Sequence, residues 1–176
     1  PEKLEVVGEP ALLHFLALRG YTRGELPLYI STADVGKIRA VARQDYDDSR
    51  VIGIDENGLL LASGFKFPKC SVISLQASNG ETGATQDLDP WRDHSAHVVL
   101  DATRAIPTER LTSGFAATTF DALSWNGPAG IGLLHIEDSK NFSYPLPHIA
   151  PIRVPGTYSL PLLIGAAVAI KEFVSN

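Results

Sequence analysis

Apolar positions along the chain follow two rhythms. Residues 10–19 show helical spacing, with Leu12, Phe15, Leu16 and Arg19 in register, Pro10 at a first helical position and Gly20 as the stop. Residues 27–31 (PLYIS) form a short apolar run that predicts a strand. Residues 33–43 predict an amphipathic helix with Val35, Ile38, Val41 and Ala42 on one side. Residues 51–55 (VIGID) predict a strand, Glu56-Asn57-Gly58 a turn, and residues 59–61 a pairing segment behind it. Four further β-rich runs follow at 71–77, 97–100, 118–123 and 131–136, the last two separated by Asn126-Gly127-Pro128-Ala129-Gly130. Residues 141–155 hold four prolines and read as a loop, and 159–174 read as a closing helix.

Helices alternate with strands early in the chain, and the strands are nearly continuous in apolar residues. That pattern predicts an α/β fold, a mostly parallel sheet covered by helices on both faces. No internal repeat or low-complexity tract interrupts it, so residues 1–176 are expected to form a single domain.

Composition narrows the picture. The formal net charge is -5, and no Lys/Arg run occurs, so neither nucleic acid nor a membrane surface is an expected partner. The longest apolar run, residues 160–170, is broken by Pro161 and Gly165 and is too short to span a bilayer. Cys70 is the single cysteine, which excludes an internal disulfide framework and a four-thiolate zinc site. A lone thiol fits a reducing compartment, and Pro1-Glu2-Lys3 opens no apolar leader, so the cytoplasm is the expected location. The sequence contains no methionine, which is compatible with processing, excision or a sequence written without modified residues.

Open α/β sheets bind ligands beyond the carboxyl ends of their strands. The segments there are Asp101-Ala102-Thr103-Arg104, Ser78-Asn79-Gly80-Glu81, Ser124-Trp125-Asn126-Gly127 and Thr32-Ala33-Asp34. A carboxylate after an apolar strand must stay solvated or find a cation. Asp101 is therefore either an acceptor for a protonated ring nitrogen or the cap of a following turn. His94 and His97 lie three apart, but their segment runs into a strand without a third ligand nearby, so no metal site is expected. Cys70 reads as a small hydrophobe in a strand, and His14 as a boundary residue. Asp45, Asp47 and Asp48 read as a solvated loop, Asn79-Gly80 also as a turn, and Trp125 and Tyr158 as packing residues.

Taken in order, these segments resemble the large domain of class V aminotransferases and cysteine desulfurases. HVVLDATRAIPTERL resembles the stretch under and beside the pyridoxal ring, and SLQASNGETGATQDL the asparagine-containing loop. DALSWNGPAGIGLLHI resembles the lysine loop with its Gly-Pro-x-Gly-Ile-Gly strand. VPGTYSLPLLIGAAVAI resembles the Gly-Thr segment and its helix, and VIGIDENGLL an upstream strand and turn. The match runs over residues 5–174 and implies the pyridoxal phosphate fold type I large domain without the small C-terminal domain. It implies pyridoxal phosphate as cofactor. Asp101 would hold the pyridine nitrogen protonated so that the ring acts as an electron sink, with Ala102 packed against the ring. Arg104 would stand beside the ring hydroxyl, Asn79 in the ring-side loop and Ser124 in the lysine loop. Gly156 and Thr157 would reach a partner's cofactor phosphate.

The departures from the family concentrate at the same place. Ser124-Trp125-Asn126-Gly127-Pro128 is continuous where the family has a lysine between the serine and the Gly-Pro, and none of the six lysines stands there. Without that amine no internal Schiff base forms. Asp34 stands where the family has a histidine stacked on the ring. Val7-Gly8-Glu9-Pro10 replaces the phosphate loop, removing an N–H donor and adding a negative charge. The second asparagine of the ring-side loop is Gly80, and Cys70 does not match the desulfurase nucleophile, which belongs to a region outside this match.

The expectation is a catalytically silent pyridoxal-phosphate-fold domain that acts as a binding or assembly partner, as a homodimer or as a heterodimer with an intact paralogue. One alternative is an active aminotransferase or desulfurase whose sequence here is incomplete. Another is a module binding an amino acid or vitamer in the old cofactor crevice through Asp101, Arg104 and Asp34.

Overall fold

The computed structural model describes residues 3–22, 26–45, 49–61, 66–148 and 158–175. Among them, seven strands form one sheet in the order β1-β7-β6-β5-β4-β2-β3. The strands are β1 (Leu4–Val7), β2 (Leu28–Ser31), β3 (Ser49–Ile52), β4 (Val72–Gln76), β5 (His97–Asp101), β6 (Ala117–Asp121) and β7 (Gly132–Ile136). β3, β2, β4, β5 and β6 are mutually parallel, while β7 runs antiparallel to β6 and β1 antiparallel to β7. The expected α/β class with a mostly parallel sheet is therefore borne out.

Alternation along the strands sends side chains to two cores. Leu28, Ile30, Val72, Val99 and Ala117 face α1 (Leu13–Thr22) and α2 (Gly36–Asp45), which supply Leu13, Leu16, Ile38 and Val41. Tyr29, Ile73, Leu75, Val98, Leu100 and Phe120 face the other way, against Trp125 and α4 (Leu160–Ser175) through Leu163, Ala166 and Ile170. Each fully buried aliphatic side chain contributes about 1.5–3 kcal/mol. Helices thus cover both faces, as the apolar strands require.

Several local expectations need correction. The helix expected from residue 10 begins with a 3₁₀ turn at Pro10–Leu12, because Glu9 caps Ala11 N–H at 3.2 Å before α-helical bonds start at Leu13. The strand expected over 51–55 is β3, shifted toward Ser49, and residues 59–61 return only as an isolated bridge between Ile54 and Leu60. The run 118–123 does not stay extended: β6 ends at Asp121, and Ala122–Trp125 closes into a 3₁₀ turn capped by Asp121. Cys70 lies outside β4, exposed, with a φ of 65°. β1, a four-residue edge strand, and the short helix α3 (Glu109–Thr112) were not foreseen, since neither is long enough to show a period. Of the expected loop 141–155, residues up to 148 carry no helix or strand, and the remainder lies outside the described residues. No helix among the described residues is long and apolar enough to cross a membrane.

Candidate functional site

The same alternation that builds the α1-side core places polar residues at its carboxyl end. Ser74 and Gln76 on β4, Asp101 on β5 and Thr119 on β6 share the face of Val72, Val99 and Ala117. All four are buried, with His14 of α1 and Asp34 of the β2–α2 turn closing over them. Buried polar groups of this kind hold together only through mutual hydrogen bonds.

Asp101 is the centre of the layer. Its Oδ1 accepts from Thr103 N–H at 2.9 Å and Thr103 Oγ1 at 2.6 Å, and its Oδ2 accepts from Gln76 Nε2 at 3.2 Å. His14 Nε2 stands 3.1 Å from the same Oδ2. The contact is close but is not an aligned hydrogen bond. Burial pushes the Asp101 carboxyl upward, but His14 and Thr103 together outweigh it and hold the group at about 2. Asp101 is thus a capped and paired carboxylate inside its own chain.

Asp34 is fully buried. Its Oδ2 accepts from Ser31 N–H at 2.7 Å, while Oδ1 has no hydrogen-bond partner. Burial pushes its carboxyl up to about 7; the Ser31 hydrogen bond opposes this and the nearby Asp101 charge reinforces it. Asn79 closes the β4 loop: Oδ1 accepts from Glu81 and Thr82 N–H, and Nδ2 donates to Ala33 O at 2.7 Å and Gln76 Oε1 at 3.0 Å. Its polar atoms are engaged in tying its own loop to the β2–α2 loop and to the end of β4. Ala102 is buried on the opposite side of the sheet, in the α4 core.

Above the polar layer lies an open cleft of about 590 Å³, lined by His14, Lys37, Thr103, Arg104, Asp121 and Ser124 among others. The Ser124 hydroxyl donates to Thr103 O, which ties the 3₁₀ turn to the β5 loop. Arg104 is exposed and its guanidinium lies against Gly80, where an added Cβ would meet Nε at 3.0 Å. Gly156 and Thr157 lie outside the described residues.

Where the resemblance has a lysine loop, the chain makes a closed turn. Asn126 adopts a left-handed φ of 59° and Gly127 N–H returns to Ala122 O at 2.8 Å. Trp125 is buried and its Nε1 donates to Ala166 O of α4 at 3.1 Å, the packing role expected for it. Of the lysines, Lys3 pairs with Glu137 at 2.8 Å, and Lys66, Lys69 and Lys140 belong to the amino ends of the parallel strands. Lys171 is on α4, and Lys37, exposed at the start of α2, is the one that lines the cleft. His94 accepts from Ala96 N–H, and His97 stacks on Tyr21 and pairs with Asp138 at 3.3 Å; both have structural partners.

Sequence reasoning gave His14 only a boundary role and did not single out Gln76, Ser74 and Thr119. Their signal was present: polar residues at every second position of buried strands must share one face, and a polar residue on an otherwise apolar helix must answer them.

No protein-family model matches the chain, and no curated protein matches it by sequence. Solved structures do match by shape. DndA from Streptomyces lividans superimposes with a TM-score of 0.79 at 19% identity over 99% of this chain and 56% of its own. The cysteine desulfurase CsdA from Escherichia coli gives 0.74 at 15% identity, over 99% and 53%. An apo cysteine desulfurase from Thermococcus onnurineus gives 0.71 at 18% identity, over 99% and 52%. The chain thus spans about half the length of these structures. The strand order and these superpositions together show that the chain has the class V aminotransferase-like fold of the cysteine desulfurases, the large-domain sheet of pyridoxal phosphate fold type I.

Proposed function

We propose that this domain carries no pyridoxal phosphate chemistry and acts as a binding or assembly partner, as a homodimer or with an intact paralogue of the same fold. The observation that carries the reading is the His14–Asp101 pair. A pyridinium nitrogen needs a free carboxylate oxygen, and here Oδ1 already accepts two hydrogen bonds while Oδ2 faces Gln76 and the imidazole. Asp34 offers the ring no stacking surface, since its carboxylate turns back to Ser31 N–H. The 3₁₀ turn at Ala122–Trp125 presents Ser124 and no amine. Glu9, capping the first turn, would repel a phosphate carrying about two negative charges. The residues present do not fit the cofactor that the resemblance implies.

Assembly is supported by α4. Its inner side packs on the sheet through Leu163, Ala166 and Ile170, yet Leu160, Ile164 and Val168, one turn apart, are 61%, 55% and 51% exposed. A helix apolar on all sides belongs to the interior of a larger body. Beside the inner side of α4 lies an apolar groove of about 450 Å³, between the helix and the β1 side of the sheet. A second chain of this fold is the occupant that suits the outer stripe, since its α4 would offer the same stripe in return.

Incubation with pyridoxal phosphate followed by borohydride tests the reading. No imine absorbance and no fixed adduct is the expected result, and light scattering is expected to give a mass above that of one chain. A stable imine mapped to Lys37 would defeat the silent reading and favour an active transferase, because Lys37 is the amine that lines the cleft. An intact mass well above 18.9 kDa would favour the incomplete-sequence alternative.

A further inference from the structure

We infer that Asn57 is a site of spontaneous covalent change. Its carboxamide cyclises onto the Gly58 nitrogen and opens to aspartate or isoaspartate, while the fold holds the two other Asn-Gly pairs of the chain unreactive.

Asn57-Gly58, Asn79-Gly80 and Asn126-Gly127 are the Asn-Gly pairs of the sequence. Glycine hinders attack through its nitrogen least, because it carries no Cβ. By sequence alone the three are therefore alike. In the step itself the glycine nitrogen, having given its proton to a base, attacks the asparagine Cγ. An N–Cγ bond forms, the Cγ–Nδ2 bond breaks, and ammonia leaves. Water then opens the five-membered imide at one of its two carbonyls. One opening gives aspartate; the other gives isoaspartate, with an additional methylene in the main chain. Amide and water become carboxylate and ammonium, and nothing is oxidised or reduced.

Two demands separate the pairs. The carboxamide must swing onto the next nitrogen, and that nitrogen must leave its own hydrogen bond. Asn79 fails the first. It is 6% exposed, its Oδ1 accepts from Glu81 and Thr82 N–H, and its Nδ2 donates to Ala33 O and Gln76 Oε1. All of these bonds have to break before Cγ can turn toward Gly80. Asn126 fails the second. Its side chain is exposed, but Gly127 is buried with its N–H on Ala122 O at 2.8 Å. A Cβ built on Gly127 would lie 2.8 Å from Ala122 O and 3.2 Å from Trp125 Nε1. The nitrogen thus sits inside the turn that Trp125 anchors to α4, and freeing it disturbs that anchor.

Asn57 meets both demands. It is exposed, and its side chain has no partner among the described residues. Asp55 Oδ1 accepts from Asn57 and Leu59 N–H at 2.9 and 2.8 Å, which holds the main chain of the turn and leaves the carboxamide alone. Gly58 N–H bonds Asp55 O at 3.0 Å, but that bond belongs to a turn beyond the edge strand β3. An exposed turn opens locally at far lower cost than a core element. The change also has a structural reader. Gln86 clasps the turn, donating to Gly58 O at 2.8 Å and accepting from Leu60 N–H at 3.1 Å. A methylene inserted ahead of Gly58 displaces its carbonyl relative to Leu60 N–H, and a new carboxylate stands beside Asp55 and Glu56.

Ageing of the intact chain in mildly alkaline buffer without denaturant, followed by peptide mapping at successive times, tests the proposal. The peptide bearing residue 57 is expected to gain about 1 Da and to split into aspartate and isoaspartate forms. Those bearing residues 79 and 126 are expected to convert about tenfold more slowly or less. In urea the three are expected to convert at one faster rate, since the pair alone then sets it. Asn57→Gln, which lengthens the ring that must close, is expected to abolish the acidic form that builds up on charge-based separation. Native conversion at residue 79 or 126 matching that at 57 overturns the proposal, as does native protection of all three. So does the same ranking in urea, which would trace it to sequence neighbours and not to the fold. Neither Asn57 nor Gly58 lines the cleft, so the result is independent of the silent reading.

Discussion

His14 Nε2 lies 3.1 Å from Asp101 Oδ2, with both side chains less than a tenth exposed. The pair joins the first helix to the end of the central strand β5. Removing a polar neighbour from a buried carboxylate leaves it less compensated, which costs about 1–3 kcal/mol. His14→Leu is expected at the low end of that range at pH 7, because Gln76 and Thr103 still donate to Asp101. The double variant with Asp101→Asn is expected to recover part of the loss. Urea unfolding of the two singles and the double gives the coupling, and strict additivity would refute it.

The two buried carboxylates act on stability in opposite directions. Asp34 is raised from an ordinary 3.8 to about 7, so the folded state holds its proton more tightly than the unfolded one. Its contribution is intact below about pH 4 and is lost as pH rises through 7, by something on the order of 4 kcal/mol. Asp101 is lowered from 3.8 to about 2, so its contribution is intact above about pH 4 and is lost as pH falls toward 2. Stability is therefore expected to decline from pH 5 to pH 8. Asp34→Asn, which keeps an acceptor for Ser31 N–H, is expected to flatten that decline; urea midpoints at pH 5, 6.5 and 8 check it, and an unchanged slope would place its origin elsewhere.

Trp125 is the packing anchor of the turn behind β6. It is 1% exposed, and its indole N–H bonds a helix carbonyl at Ala166. Trp125→Ala is expected to cost about 3–5 kcal/mol. Leu123→Ala, two residues away but 59% exposed, is expected to stay within about 0.5 kcal/mol. Denaturant midpoints distinguish a buried anchor from a loop residue, and similar values for the two would contradict the packing.

The outer stripe of α4 is expected to matter for assembly and not for the fold of one chain. Ile164→Lys with Val168→Glu keeps the inner contacts of Leu163, Ala166 and Ile170 untouched. Circular dichroism is expected to be unchanged, while light scattering moves toward the mass of one chain. A monomer before and after the change would remove α4 from consideration as an interface.

The hydrophobic rhythm of the sequence determined the α/β class, the main strands and the helices at 33–43 and 159–174, because burial on two faces forces near-continuous apolar runs. It also marked Asp101 as a strand-end carboxylate and the absence of a lysine at residues 124–128. Elements as short as β1 and α3 left no period to read. Only the tertiary structure decided what Asp101 faces. His14 is 87 positions away from it in the chain, and a helix that packs across the sheet brings the two to 3.1 Å. The same packing put Lys37 on the wall of the cleft, Asp34 in the buried polar layer and Trp125 against α4. Local pattern specifies which side of an element is apolar; the partner of a polar side chain depends on which elements pack together, and that information is not local.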